Sequence, residues 1–208
     1  MAGRFIVLEG GEGSGKSTQV ARLATAVQAA GLEVVTTFEP GATPRGAALR
    51  ALLLDDAAPL DARAELLLMA ADRAQHVTEV VRPALAAGQV VISDRFTPST
   101  LAYQGVGRDL GVEAVGVVSA FASGGLEPDL VIVLDVDADV AARRRPVARD
   151  RMERAGAEFH ARVRGAYREL AAEFGWVVVD GNGDVEAVAA AVWSVVEPLV
   201  ESLVRDDQ

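Results

Sequence analysis

Eight residues near the start of the chain, Gly10-Gly11-Glu12-Gly13-Ser14-Gly15-Lys16-Ser17, satisfy the pattern G-x-x-x-x-G-K-[ST]. Each position has a chemical reason. The glycines let backbone N–H groups turn inward and surround phosphate oxygens. Lys16 supplies a mobile point charge for β- and γ-phosphates, and Ser17 offers a hydroxyl to a hard cation such as Mg²⁺. Thr18 follows in the first turn of a helix whose positive end faces the same anion. Gly10 through Thr18 are therefore the candidate nucleotide contacts. Lys16 is also the only lysine: of 20 basic residues, 19 are arginine. A chain with one lysine cannot carry a lysine-rich nucleic-acid tail or the Asn-Lys-x-Asp guanine reader of GTPases. Arginine-rich, lysine-poor usage fits GC-rich coding, which accounts for the scarcity of lysine but not for its place.

A second constellation is Asp94-Arg95, directly after the wholly apolar run Val90-Val91-Ile92 and Ser93. Ligands of open α/β sheets bind at the ends of such strands. A planar guanidinium there can grip a phosphate with two parallel hydrogen bonds, as a lysine cannot. A third feature is a basic island. Between Arg143 and Arg168 lie nine arginines against Asp150, Glu153 and Glu158, a net +6 in a chain of net −10. That contrast suggests a local anionic ligand, while the overall charge argues against nucleic-acid binding.

These residues need a scaffold, and the hydropathy pattern supplies one. Strand-like runs cover Arg4–Glu9, Glu33–Phe38, Val90–Ser93, Leu130–Val136 and Trp176–Asp180. Helical stretches cover Lys16–Ala30, Arg45–Leu54, Asp61–Ala87 with Asp61 as N-cap and Pro83 as a possible break, Pro98–Val106, Gly111–Ser123, Ala138–Arg145, Glu158–Phe174 and Val185–Leu203. Buried strands alternating with helices imply α/β architecture, a parallel sheet with helices on both faces. No repeat or linker divides the chain, so residues 1–208 read as one domain.

Half of the residues are hydrophobic and 24% charged, which is ample for a core. With no cysteine there are no disulfides or thiolate metal sites, in keeping with a reducing, cytoplasmic setting. No leader pattern is visible, because Phe5-Ile6-Val7-Leu8 stops at Glu9, and no stretch reads as a membrane span.

A phosphate loop serves ATPases, GTPases and small-molecule kinases alike, so its company must decide. Phe5–Gln19 (FIVLEGGEGSGKSTQ), Glu39–Arg50 (EPGATPRGAALR), Glu65–Val77 (ELLLMAADRAQHV), Ser93–Gly105 (SDRFTPSTLAYQG), Gly125–Val136 (GLEPDLVIVLDV) and Asp150–Tyr167 stand in the order and with the spacing of thymidylate (dTMP) kinases. The chain resembles that family over most of its length. The resemblance implies a three-layer α/β/α P-loop NTPase fold with a five-stranded parallel sheet and a short lid at about 143–157. It implies ATP and Mg²⁺ as cofactors, dTMP as acceptor and a homodimer built through packed helices.

Residue by residue, the resemblance implies that Arg95 and Arg50 hold the acceptor 5′-phosphate and that Asp94 lies with Ser17 near the metal. Glu12 would stand at the 3′ side of the acceptor sugar, and Glu39 beside the acceptor. Arg73, one turn after Met69, would meet the base edge, while Met69 covers the base face. Thr100 and Gln104 would be further base contacts, and Tyr103 would crowd the sugar 2′ position. Gly13 and Ser14 carry no charge, which matches the subtype whose catalytic arginines lie in the lid. Arg149 and Arg151 are the candidates, with Arg143, Arg144 and Arg145 on a solvated face. The chain departs from the family pattern at Phe38, where an arginine is usual, at Ala42 for glycine, at Met69 for phenylalanine, and in its shorter lid. The alternatives are a kinase for another small acceptor or a non-catalytic nucleotide switch.

Overall fold

A computed structural model describes residues 3–144 and 150–206. Its centre is a five-stranded sheet of β1 (Arg4–Glu9), β2 (Val34–Phe38), β3 (Val90–Asp94), β4 (Leu130–Asp135) and β5 (Val177–Asp180). The order is β2-β3-β1-β4-β5 and all pairings are parallel. The helices are α1 (Lys16–Ala29), α2 (Pro44–Leu54), α3 (Ala62–His76), α4 (Arg82–Ala86), α5 (Thr97–Thr100), α6 (Val112–Ser123), α7 (Ala138–Arg144), α8 (Ala157–Phe174) and α9 (Val185–Asp206).

Successive side chains of a strand point to opposite faces, so a sheet covered on both sides needs continuous apolar runs. Ile6 and Leu8 join Ile92, Ile132 and Leu134 on one face, packed by Val20, Leu23 and Val27 of α1 and by Val188, Val192 and Val196 of α9. Phe5 and Val7 join Val91 and Val131 on the other, under Val77, Val81 and Phe96. There α8 adds Phe159, Val163, Tyr167 and Leu170 against Val133. Each fully buried Leu, Ile or Phe contributes about 1.5–3 kcal/mol, so the two faces anchor the sheet. The register aligns Leu8 and Phe38 with Asp94, and Glu9 with Val133. One edge of the sheet thus gathers the C-terminal ends of β1, β2 and β3.

Three expectations are refined. The stretch Asp61–Ala87 is not one α-helix: Val77–Val81 winds as a π-helix between α3 and α4. Pro83 cannot donate and its ring clashes with the carbonyl four residues back, so the wider turn is formed just upstream. The stretch after Pro98 also changes winding, from α5 to a π-helix over Leu101–Gly107. Finally, Val185–Arg205 is long and apolar enough for a membrane span, with a mean hydropathy of 1.6, contrary to the sequence reading. Here Val188, Val192, Val196, Val200 and Leu203 recur at helical spacing and are buried in the core, so this face of α9 belongs to the protein interior.

Candidate active site

The loop from β1 to α1 forms the floor of a cleft of about 1150 Å³ at the C-terminal edge of the sheet. Gly15, with φ 91°, turns the chain into α1. Gly13 has φ 73°, and a Cβ built there would stand 2.6 Å from the Ala141 carbonyl oxygen, so the loop packs directly on α7. Lys16 Nζ donates to Gly10 O (3.0 Å), Gly11 O (2.9 Å) and Ser14 Oγ (3.2 Å). Burial, followed by the Arg95 charge, lowers the Lys16 ammonium to about 8. Ser17 Oγ donates to Asp94 Oδ2 at 2.6 Å. Both offer oxygen lone pairs to a cation, and among the described residues no three His, Asp or Glu side chains gather to hold a metal. This set suits a cation that keeps several waters and binds through one or two protein oxygens plus phosphate, as Mg²⁺ does.

Arg95 stands opposite the loop with a positive φ of 77°, a strained backbone for a non-glycine residue. Its guanidinium donates to Glu12 Oε1 (2.5 Å), Ser99 Oγ (2.9 Å), Tyr103 OH (3.2 Å) and Gly10 O (3.2 Å). Glu12 therefore does not simply face the donor phosphates: Arg95 and Tyr103 OH, at 3.2 Å, share its carboxylate. Burial holds the Tyr103 phenol above its ordinary range, against the pull of Arg95. Behind this cluster lies Glu9, which the sequence reading treats only as the end of a strand. It accepts from Phe96 N (2.8 Å), Ser99 N (3.1 Å), Ser99 Oγ (2.6 Å) and Tyr167 OH (2.9 Å), pinning the turn that carries Arg95. Burial raises its carboxyl despite the Arg95 charge and these bonds.

A second buried cluster backs the other end of the cleft. Arg73 donates to Glu39 Oε2 (3.0 Å) and Thr100 Oγ1 (2.8 Å). His76 bridges Glu39 Oε1 (2.8 Å) and Thr37 Oγ1 (2.6 Å). Glu39 thus acts through Arg73 and His76, with its carboxylate already engaged. Asp72 receives Gly41 N at 3.0 Å while its Oδ2 is buried and unpaired; burial and then the Glu39 charge raise its carboxyl to about 6. Arg50 donates to Pro40 O at 2.6 Å and lies 5.9 Å over the exposed Phe38 ring.

The structure brings together at this cleft Glu12 to Thr18, Glu39, Arg50, Met69, Arg73, Asp94, Arg95, Thr100, Tyr103 and Gln104. Gly10 and Gly11 line a small cavity behind the loop instead. Arg151 does not line the cleft. It donates to Glu65 Oε2 (2.7 Å) and doubly to Leu53 O (3.0 and 2.9 Å). Arg149 and Arg145 lie outside the described residues. Arg143 is solvated and pairs with Asp139. Arg144 is exposed, in keeping with a solvated face, and also lines the cleft, where it donates to Gly183 O at 2.9 Å. The loop after β5, with Gly181, Gly183, Asp184 and Val185, closes that end and was missed. A Gly-Asn-Gly turn after the last strand was its only signal.

The family model for thymidylate kinase matches residues 8–192. The chain belongs to the thymidylate kinase family. It is 49% identical over 208 residues to a thymidylate kinase of Solidesulfovibrio magneticus, covering 94% of this chain and all of that protein. It is 51% identical to one of Synechococcus sp. strain JA-3-3Ab, covering 93% and 95%, and 45% identical to one of Bifidobacterium longum subsp. infantis, covering 100% and 90%. Membership in this family makes ATP the phosphate donor and decides against the nucleotide-switch alternative.

Proposed function

We propose that the protein transfers the γ-phosphoryl group of ATP to dTMP, giving ADP and dTDP. The observation that supports this best is one cleft holding a phosphate loop at one wall and Arg95, Arg73, Thr100 and Gln104 at the other. Such transfer is chiefly positioning and charge neutralisation. Lys16 and the loop amides would hold the β- and γ-phosphates; Arg95 and Arg50 would hold the acceptor phosphate. Arg73, Thr100 and Gln104 would read the base edge, with Met69 against its face and Tyr103 beside the sugar. Ser17 and Asp94 would hold Mg²⁺, which neutralises charge on the transferring group. Arg144, Arg149 and Arg151 are the candidates for closing over that group. Arg151 would have to leave Glu65 and Leu53 O to do so, whereas Arg144 already faces the loop.

We take residues 1–208 as one kinase domain with a lid at about 143–157. We assign it to the cytoplasm, as a homodimer. The apolar faces of α3 and α6 support the dimer, with Leu67 60%, Val117 69% and Phe121 90% exposed. The deciding experiment offers Mg-ATP with dTMP, UMP, CMP, AMP and GMP. Turnover is fastest with dTMP; equal or faster turnover with any of the others overturns the acceptor assignment.

The lysine adds a pH-linked result. A free Lys16 at about 8 is mostly charged at pH 7 and mostly neutral at pH 9, while the triphosphate binds the charged form. ATP binding therefore takes up close to one proton at pH 9 and almost none at pH 7, and affinity falls as pH rises through about 8. Calorimetry in buffers of different ionisation enthalpy measures this. In the same window trinitrobenzenesulfonate modifies Lys16 and abolishes activity, and ATP protects. Equal proton uptake at both pH values contradicts the assignment.

A further inference from the structure

Glu65 lies in the first turn of α3 and its side chain is wholly buried. Four hydrogen bonds converge on it from three residues in two parts of the chain. Gln104 Nε2 donates to Oε1 at 2.6 Å. Arg108 donates from Nε to Oε1 (3.3 Å) and from Nη2 to Oε2 (3.2 Å). Arg151 Nη1 donates to Oε2 at 2.7 Å. Arg108 in turn lies 4.5 Å over the Phe159 ring, and Arg151 is clamped on Leu53 O at the end of α2. Such a carboxylate can only accept hydrogen bonds. Burial alone would raise its carboxyl, but the bonds from Gln104, Arg108 and Arg151 and the Arg108 charge hold it below the usual range.

That constraint passes to Gln104. An amide can present either its NH₂ or its carbonyl to a neighbour, and a carboxylate meets only the NH₂. The opposite end, Oε1, takes no hydrogen bond from the described residues and is not an enclosed orphan, and Gln104 lines the cleft. We infer that Glu65 is a positioning residue for acceptor recognition: it locks the Gln104 amide with its oxygen toward the base, so that the pocket selects a base edge carrying an N–H donor. This rests on the acceptor site proposed above. Thymine and uracil present N3–H between two carbonyl oxygens. Cytosine presents a bare N3 beside an amino group, the reverse pattern. Arg73, all donors, lies in the same pocket and complements a carbonyl oxygen. An amide free to turn would accept both bases; one fixed by a carboxylate accepts one.

The test compares kcat/KM for dTMP and dCMP in the wild type, in Glu65→Gln and in Glu65→Asp. In E65Q the neutral amide can face Gln104 with either end. The dTMP to dCMP ratio falls about 10-fold or more, chiefly through KM, while KM for ATP holds. E65D keeps an acceptor-only group and retains the preference. In a Gln104→Leu background E65Q changes the ratio no further. Equal losses with both nucleotides, or an undiminished effect of E65Q beside Q104L, would mean that Glu65 merely supports the fold, and overturn the inference. Should E65Q fail to fold, the wild type decides. The Gln104 side-chain NH₂ resonance, assigned by its absence in Q104L, exchanges slowly with solvent; a freely exchanging one overturns the lock. A wild type without preference for dTMP brings down the acceptor site and this role with it. A wild-type preference untouched in folded E65Q overturns the Glu65 role alone.

Discussion

Replacing Lys16 with alanine lowers kcat by about 100- to 1000-fold, or about 2.7–4 kcal/mol of transition-state stabilisation, while the melting temperature stays within a few degrees of the parent. The two halves of this result have separate causes. In the unliganded cleft the ammonium donates to Gly10 O, Gly11 O and Ser14 Oγ, but burial disfavours its charge, which is why it is held at about 8. Removing it deletes three bonds together with an unfavourable buried cation, so the fold loses little. The transferring phosphoryl group loses the one mobile charge on its loop side, and no other lysine exists to replace it. Steady-state kinetics at saturating ATP and dTMP, with calorimetric unfolding beside them, measure both halves. Turnover within 10-fold of the parent would remove Lys16 from the chemistry.

Arg95→Lys is expected to act on the other substrate. The guanidinium satisfies Glu12, Ser99, Tyr103 and Gly10 O at once while lying 5.0 Å over the Tyr103 ring. An ammonium has three donors and no planar fork, so it cannot keep that set and also grip a phosphate through two parallel bonds. Losing a buried, hydrogen-bonded charge partner costs about 2–5 kcal/mol. kcat/KM for dTMP falls about 100-fold or more, mainly as a rise in KM for dTMP, and KM for ATP moves little. Rising KM for ATP with unchanged KM for dTMP would place Arg95 on the donor side and refute the assignment.

The sheet was readable because each strand is an apolar run bounded by polar residues. Arg4–Glu9 matches β1 end for end, and the other four shift by one residue at a boundary. The phosphate loop was readable because its chemistry is local, with every functional atom within eight residues. The π-helical turns were not. Val77–Val81 and Leu101–Gly107 differ from an α-helix by a change of hydrogen-bond partner that leaves the hydropathy pattern nearly intact. Nor was the role of Glu65 readable. It falls on the same helical face as Met69 and Arg73, at steps of four, which was the available signal. Its meaning comes from Gln104 and Arg151, 39 and 86 residues away. Arg151 itself stands in a motif that points to the lid, yet in this state its guanidinium is held between α2 and α3. Side chains that recruit each other across such separations leave no periodicity in either segment.

The strand order also sets a timetable. β1 is made first, yet its two neighbours are β3 and β4. Phe5 cannot meet Val91 until about 85 residues later, and at about 5–20 residues per second that is roughly 4–17 s of synthesis. The second flank waits for Val131 opposite Val7. β1 is thus the earliest exposed strand and, of the three inner strands, the one that waits longest for both of its neighbours. During that interval the nascent chain carries an unpaired β-edge, and it is the segment on which a ribosome-associated holdase would have most effect.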